Sequence, residues 1–400
     1  MKRKRLVAAV LILTELAVCA GIILASWPIF GQAGATGIRW RLFTADSISV
    51  EADEEQRFSV SGPATLIVEN TSGSIQVSAG TGNAITIAAH KTVWGSDQAD
   101  AEAQLATLKV NAFQAGNAVT VRIEQPQEVL VVGSTRGDTV DFIITVPAEA
   151  AVTARTGSGS VTLSGTKGDA DLHTDFGEIS ATEVSGNLKA DTHSGRITVR
   201  QAQAGAMAVD LRSDFGEITI EDATGGDVQA HSGSGTISLV NVEAGGGVIA
   251  TSDFGGIEFK SGRAARLTAE TGSGAVTLTG LTVSGALTAR SDFGELTLVQ
   301  VAAASYDLRT GSGSIQLAGS MGDGPHTIET NFGSIRLTLP QDTALTLALE
   351  TGFGRVQSDF PVMFSGTLDE SHWRGTINGG GASLMASTDS GDISLEILKP

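Results

Sequence analysis

Four Asp-Phe-Gly tripeptides, beginning at Asp175, Asp214, Asp253 and Asp292, are the first residues in this 400-residue chain that could do chemistry. Asp-Phe-Gly holds magnesium in protein kinases, but there it occurs once, beside a glycine-rich phosphate loop and a catalytic loop, and neither is present. Repeated carboxylates on one face are instead the oxygen chemistry that Ca²⁺ takes. Glu178, Glu217 and Glu295 follow the same motif and would add to such an edge. Like charges two coils apart also stand without a metal, and the nonapeptide calcium repeat of other β-helices is absent. The sequence therefore assigns no metal and no cofactor, and keeps these four aspartates as a candidate calcium edge.

Other chemical groups are sparse. The histidines are His90, His173, His193, His231, His326 and His372, and no two have a compact metal-binding spacing. The Gly-Ser-Gly turns join strand to strand, so no helix N-terminus follows to meet a phosphate. Arg136-Gly137-Asp138 is an integrin-type tripeptide whose chance occurrence is the simplest account. The irregular segment 359–378 carries Asp369, Glu370, His372, Trp373 and Arg374, the one place where a locally unusual site fits. Trp373 and Arg374 form a candidate ligand patch for a sugar face; a tryptophan covering the end of the fold is the plainer reading. No catalytic residue is assigned.

The elements that would position these residues repeat. Corner glycines fall at Gly159, Gly177, Gly195, Gly216, Gly235, Gly255, Gly274, Gly294, Gly313, Gly333 and Gly354, so successive gaps are 18 to 21 residues. Two forms alternate: Thr-Gly-Ser-Gly, as at Thr271 to Gly274, and Ser/Thr-Asp/Asn-Phe-Gly, as at Ser213 to Gly216. Phe176, Phe215, Phe254, Phe293 and Phe332 lie 39 residues apart. A fixed period of this size marks a solenoid. Val209, Leu211, Ser213 and Phe215 alternate with polar residues; after Gly216 the phase slips by one, and Ile218 and Ile220 take over. Period-2 alternation predicts strands with one buried face, and the slip marks a corner at a residue that can take positive φ. Residues 148–324 contain no proline, as interior strands require. The expected fold is all-β: a parallel, single-stranded β-solenoid of about 20-residue coils with glycine corners, each coil too small to bury its own face. A 39-residue coil with two unlike edges is the rival geometry. The hydroxyls before each corner, Thr156 through Thr351, read as a buried ladder satisfying backbone groups. The Phe/Ser alternation reads as large-on-small packing along the core axis.

With 50 glycines ordered by the repeat, disorder is not expected. A net charge of −18 excludes nucleic acid and anionic lipid headgroups as partners of the main body. Lys2-Arg3-Lys4-Arg5 precedes an apolar run over 6–30, interrupted by Thr14 and Glu15 and long enough to span a bilayer. The basic cluster stays inside, which places the bulk of the chain outside the cell membrane in single-pass topology. A signal peptide cleaved after Ala20 is the alternative; lipidation of Cys19, the only cysteine, is disfavoured by the bulk of Val18. Four segments follow: 1–30, a signal-anchor transmembrane helix; 31–57, a juxtamembrane linker; 58–154, a β-rich part with a short helix near 96–108 covering the solenoid's open end; and 155–400, the repeated solenoid with an atypical C-terminal cap.

Three stretches go beyond the repeat: Leu66–Val77 with its Gly73-Ser74-Ile75 corner, Val146-Pro147 leading into Thr156-Gly157-Ser158-Gly159, and the tail. In the tail, Thr351-Gly352-Phe353-Gly354-Arg355-Val356 precedes Asp359-Phe360-Pro361 and Gly375-Thr376-Ile377-Asn378-Gly379. On these residues, 58–400 resembles the bacterial toastrack family, a domain of unknown function also described as an adhesin family. The resemblance implies an extracytoplasmic β-solenoid associated with surface adhesion and envelope-stress signalling, and supplies no catalytic residues. Two function classes result: a non-catalytic anchored adhesin, scaffold or stress-sensing ectodomain with a protein or polysaccharide ligand, and a carbohydrate-binding or carbohydrate-active β-helix. The coil-to-coil sameness of the outward residues favours the first.

Overall fold

The computed structural model describes residues 39–42, 48–124, 129–132, 137–203, 208–365 and 370–399. The expected span over 1–30, Cys19, the first part of the 31–57 linker and Arg136 lie outside the described residues. No helix among the described residues is long and apolar enough to cross a membrane. The chain divides into two units, 1–47 with 125–136, and 48–124 with 137–400. In the first, Arg39–Leu42 and Val129–Val132 pair in parallel.

The second unit is the solenoid. Thr156 pairs with Thr174, Thr174 with Thr192, Thr192 with Ser213, and Ser213 with Ser232, all in parallel. One coil is therefore 18 to 21 residues, and the 39-residue alternative is set aside. A second parallel ladder runs beyond the corner, with Val161, Ile179, Ile197, Ile218 and Ile237 in register. Each coil sends its alternate apolar side chains inward, as with Val209, Leu211, Ile218 and Ile220. From Ile237–Ser252 to Leu296–Thr310 the strands lengthen to 15 or 16 residues and run on from one corner to the next.

A second corner was not legible in the glycine pattern. Four residues after the first inward aliphatic of each coil, Glu183, Gln201, Asp222, Asn241, Ser261 and Gln300 take left-handed backbone with φ of 51–55°. Gly165 and Gly280 occupy the same position. Because most are not glycine, the sequence shows no punctuation there.

The two ends depart from the expected order. At the start, Thr65–Ser72 and Ile75–Gly80 form the first coil; Ala118–Glu124 and Thr139–Pro147 add to it in parallel. Ala84–Gly95 then pairs antiparallel with Thr139–Pro147, and Ile48–Ser59 with Ala84–Gly95. The second part of the expected linker is thus an edge strand. Its pattern was masked because polar residues take half-buried positions: Glu54 accepts from the nearly buried Lys91 at 2.7 Å. That hydrogen bond holds the Glu54 carboxyl below its usual value. Outward Glu51, Asp53, Glu55 and Arg57 make the edge charged, which deters strand addition. The short helix is Gln98–Leu105, with Asp97 accepting from the Asp100 N–H as N-cap. It packs on these antiparallel strands; they, rather than the helix, continue the sheet past the first coil.

At the other end, sequence order and spatial order part. Ala382–Ser390, late in the chain, lies between His326–Phe332 and Leu345–Phe353 and pairs with both in parallel. His372–Ile377 adds antiparallel to Leu345–Phe353, and Val362–Phe364 adds to it in turn. Left-handed backbone costs a side-chain-bearing residue about 1–2 kcal/mol. Glu183→Gly at the exposed second corner should therefore raise stability by about 0.5–1 kcal/mol after glycine's own entropy, read as a shift in denaturant midpoint with unchanged slope.

Candidate binding surface at the glycine corner

The corner is built by close approach of backbones. A Cβ on Gly216 would lie 1.6 Å from the carbonyl oxygen of Gly195, and one on Gly195 equally close to that of Gly177. Only glycine fits when consecutive corners stack this tightly. The buried hydroxyl before each corner completes it. Ser232 Oγ donates to Gly216 O at 2.9 Å and accepts from its own coil's Gly235 N–H at 2.8 Å. The same pair of bonds recurs at Ser213, Ser252, Thr271, Ser291 and Thr310. The hydroxyl column is thus structural, as read from sequence.

The phenylalanines lie elsewhere than expected. Phe176, Phe215, Phe254, Phe293, Phe332 and Phe353 are 61, 62, 69, 69, 63 and 83 % exposed, so they do not pack along the core axis. The inward alternation ends at the hydroxyl; the two residues after it belong to the bend and both face solvent. Simple period-2 counting carried the strand one position too far.

These rings form a column in which large and small alternate coil by coil. In register with the hydroxyl ladder, Ser194, Ser234, Ser273 and Ser312 take the position between successive phenylalanines. The alternation survives the rearranged end: Ser390 pairs with Phe332 on one side and Phe353 on the other. Read along the chain, Phe332 and Phe353 would sit in adjacent coils; in space a serine coil separates them. In the first gap His193 stands between Phe176 and Phe215, its ring centroid 6.0 and 5.3 Å from theirs and nearly perpendicular to both. Later coils have Gly233, Gly272 and Gly311 at the position of His193.

The four aspartates do form an exposed column beside the rings. His173 faces Asp175 at 3.1 Å and Asp191 at 2.9 Å, and His193 pairs with Asp214. Among the described residues, no three histidine, cysteine or acidic side chains converge as a metal would need. Trp373 and Arg374 lie in His372–Ile377, opposite Leu349 and Ala348. Trp373 is half-buried with Phe364 edge-on at 5.1 Å, while Arg374 is exposed. The structure does not bring this pair to the phenylalanine column.

A buried aromatic pair also escaped the sequence reading. Tyr306 and His326 pair across adjacent coils, 2 % and 1 % exposed, with centroids 5.7 Å apart. The Tyr306 hydroxyl meets the carbonyls of Val301 and Ser320 at 3.1 and 2.9 Å, and burial raises its pKa. His326 Nε2 donates to Gly322 O at 3.0 Å; its buried Nδ1 has no hydrogen-bond partner. Protonation would bury an unsatisfied donor, and burial accordingly holds the His326 pKa below its ordinary value.

The family model described as Toastrack DUF4097 matches residues 64–260 and 226–396. No curated protein matches significantly. Three solved structures align at low scores. A candidate cell adhesion protein from Clostridium sporogenes is 10% identical, covering 87% of this chain and all of its own, with a TM-score of 0.24. A candidate adhesin from Bacteroides fragilis is 11% identical over 86% and 97%, with a TM-score of 0.24. A protein from Parabacteroides distasonis described as a candidate lipid-binding protein is 12% identical over 68% and 96%, with a TM-score of 0.27.

Gly216→Ala should destabilise by about 3 kcal/mol or more through backbone overlap and Ser232→Ala by about 1–3 kcal/mol through two lost bonds. Phe254→Ser should stay within about 0.5 kcal/mol, because neighbouring coils already carry serine there; chemical denaturation compares all three. For His326, the folded pKa lies below the unfolded value of about 6.5, so the unfolded state binds more protons as pH falls. Its contribution is present above about pH 6.5 and is lost on acidification. His90, raised by its hydrogen bond to Asp53, acts with the opposite sign from an exposed position. Melting temperature should fall from pH 7 to 5, and His326→Leu, matching Leu384 in the adjacent coil, should flatten that slope.

Proposed function

On the premise that the chain belongs to the Toastrack family, whose model matches within residues 64–396, we propose a non-catalytic, extracytoplasmic binding solenoid that works as an adhesin. Its anchor is the apolar run over 6–30, crossing the cell membrane once with Lys2-Arg3-Lys4-Arg5 on the cytoplasmic side. The observation that carries the binding role is the exposed phenylalanine column. Six large apolar side chains held open to solvent in a regular line cost solubility and contribute little to the core. A surface kept in this form is fitted to long partners rather than to a small substrate in a cleft. Among the described residues, no three histidine, cysteine or acidic side chains converge as a metal would need, and the corner motif recurs every second coil.

A scaffold or an envelope-stress ectodomain would use the same surface with a different partner; both keep the body outside. The discriminating measurement is protease shaving of intact and outer-permeabilised cells carrying an epitope after Pro400. The body should be cut from outside while a membrane-bound N-terminal stub survives. A protected body, or a soluble one with a cleaved N-terminus, would remove the anchored ectodomain.

A further inference from the structure

We propose that the phenylalanine column is a docking comb for a polyproline II segment carrying basic residues. This inference names a ligand class for the surface just described and rests on that surface's being a binding face. Successive rings are two coils apart, about 9.6 Å at the usual strand spacing of roughly 4.8 Å. A polyproline II helix repeats every three residues, about 9.3 Å. Over the three intervals from Phe215 to Phe332 the mismatch accumulates to only about 0.9 Å. An α-helix presents the same face every seven residues, about 10.5 Å, and drifts by about 2.7 Å over the same distance. An extended strand repeats its face at about 6.7 Å and cannot keep step.

The chain itself shows what fits between two rings. His193 places a five-membered ring upright between Phe176 and Phe215, edge-to-face with both, at interplanar angles of 84° and 85°. That is the favourable quadrupole geometry for aromatic contacts. It is an insertion between the rings, not the flat stacking a sugar makes across a ring. The next three gaps have Gly233, Gly272 and Gly311 where His193 stands, so a side chain there is supplied from outside or not at all. A pyrrolidine ring is also five-membered, and aromatic grooves take proline-rich segments because the ligand is already ordered. Charge points the same way. Asp253 and Asp292 stand beside Phe254 and Phe293, and among the described residues no cation lies within ion-pair distance of either. With a net charge of −18 on the chain, a ligand bearing lysine or arginine once per turn is favoured over a neutral or acidic one.

The test uses the full chain in detergent micelles, titrated against a fluorescent peptide of five Pro-Pro-Lys repeats and read by anisotropy. A Gly-Ser-Lys repeat of equal charge and length serves as control, with cello- and chitin-oligosaccharides as competitors. The wild type should bind the proline peptide and not the control. Phe254→Ser with Phe293→Ser should weaken binding at least ten-fold at unchanged melting temperature. His193→Gly, which opens a fourth gap, should tighten it several-fold. No binding, equal binding of the two peptides, or binding untouched by the phenylalanine changes would overturn the proposal. Oligosaccharide binding lost with the same substitutions would assign the comb to a glycan and overturn it too, leaving the adhesin reading standing. Peptide binding by a body that shaving places inside the cell would do the reverse.

Discussion

The close approach of one glycine corner to the next is the constraint on which the rest depends. Gly216 and Gly195 meet with no room for a methyl group, and the hydroxyl of Ser213 or Ser232 bonds both the neighbouring coil and its own. That contact fixes coil height, and coil height fixes the register of both ladders. Once register is set, the apolar rows of successive coils superpose and the core is continuous. The same contact throws the two residues before each glycine outward, so the outward position, though not the choice of side chain there, follows from the joint that holds the stack together.

A by-product of folding would not need to be regular. Here the alternation of phenylalanine and serine holds through twelve coils from Ser158 to Phe353, including the end where the chain inserts its last corner out of order. Along the sequence, Phe332 and Phe353 break the pattern; in the stack, Ser390 restores it. Core packing cannot require this, because the rings are outside the core. The regularity belongs to the outer surface, and a surface property that persists across a topological break is best explained by what meets it.

Much of this was legible in the sequence. The glycine spacing gave the corners, the alternation around Val209 and Ile218 gave the two ladders, and the hydroxyl column was read for what it is. The tail motif carried the family. What escaped did so for identifiable reasons. The phenylalanines were placed inside because alternation alone does not say where a strand stops and a bend begins. The second corner was silent because Glu183, Gln201 and Gln300 accept left-handed backbone without announcing it. Ile48–Ser59 hid behind Glu54 and Gln56: Glu54 accepts both from Lys91, 37 residues away, and from Gln56 itself. The insertion of Ala382–Ser390 between two earlier coils is a long-range pairing, which no local pattern encodes.

The most direct measurement is the spatial order of the last rings. In a Cys19→Ser background, nitroxide labels at positions 332 and 353 report their separation by continuous-wave spin resonance. The stacked order described here predicts dipolar broadening at two coils, about 9.6 Å. It also predicts that labels at 332 and 390 show the strong exchange of adjacent coils, about 4.8 Å apart. Strong exchange between 332 and 353, with 390 remote from both, would mean that the coils follow sequence order. The alternating outer column would then end at Phe332.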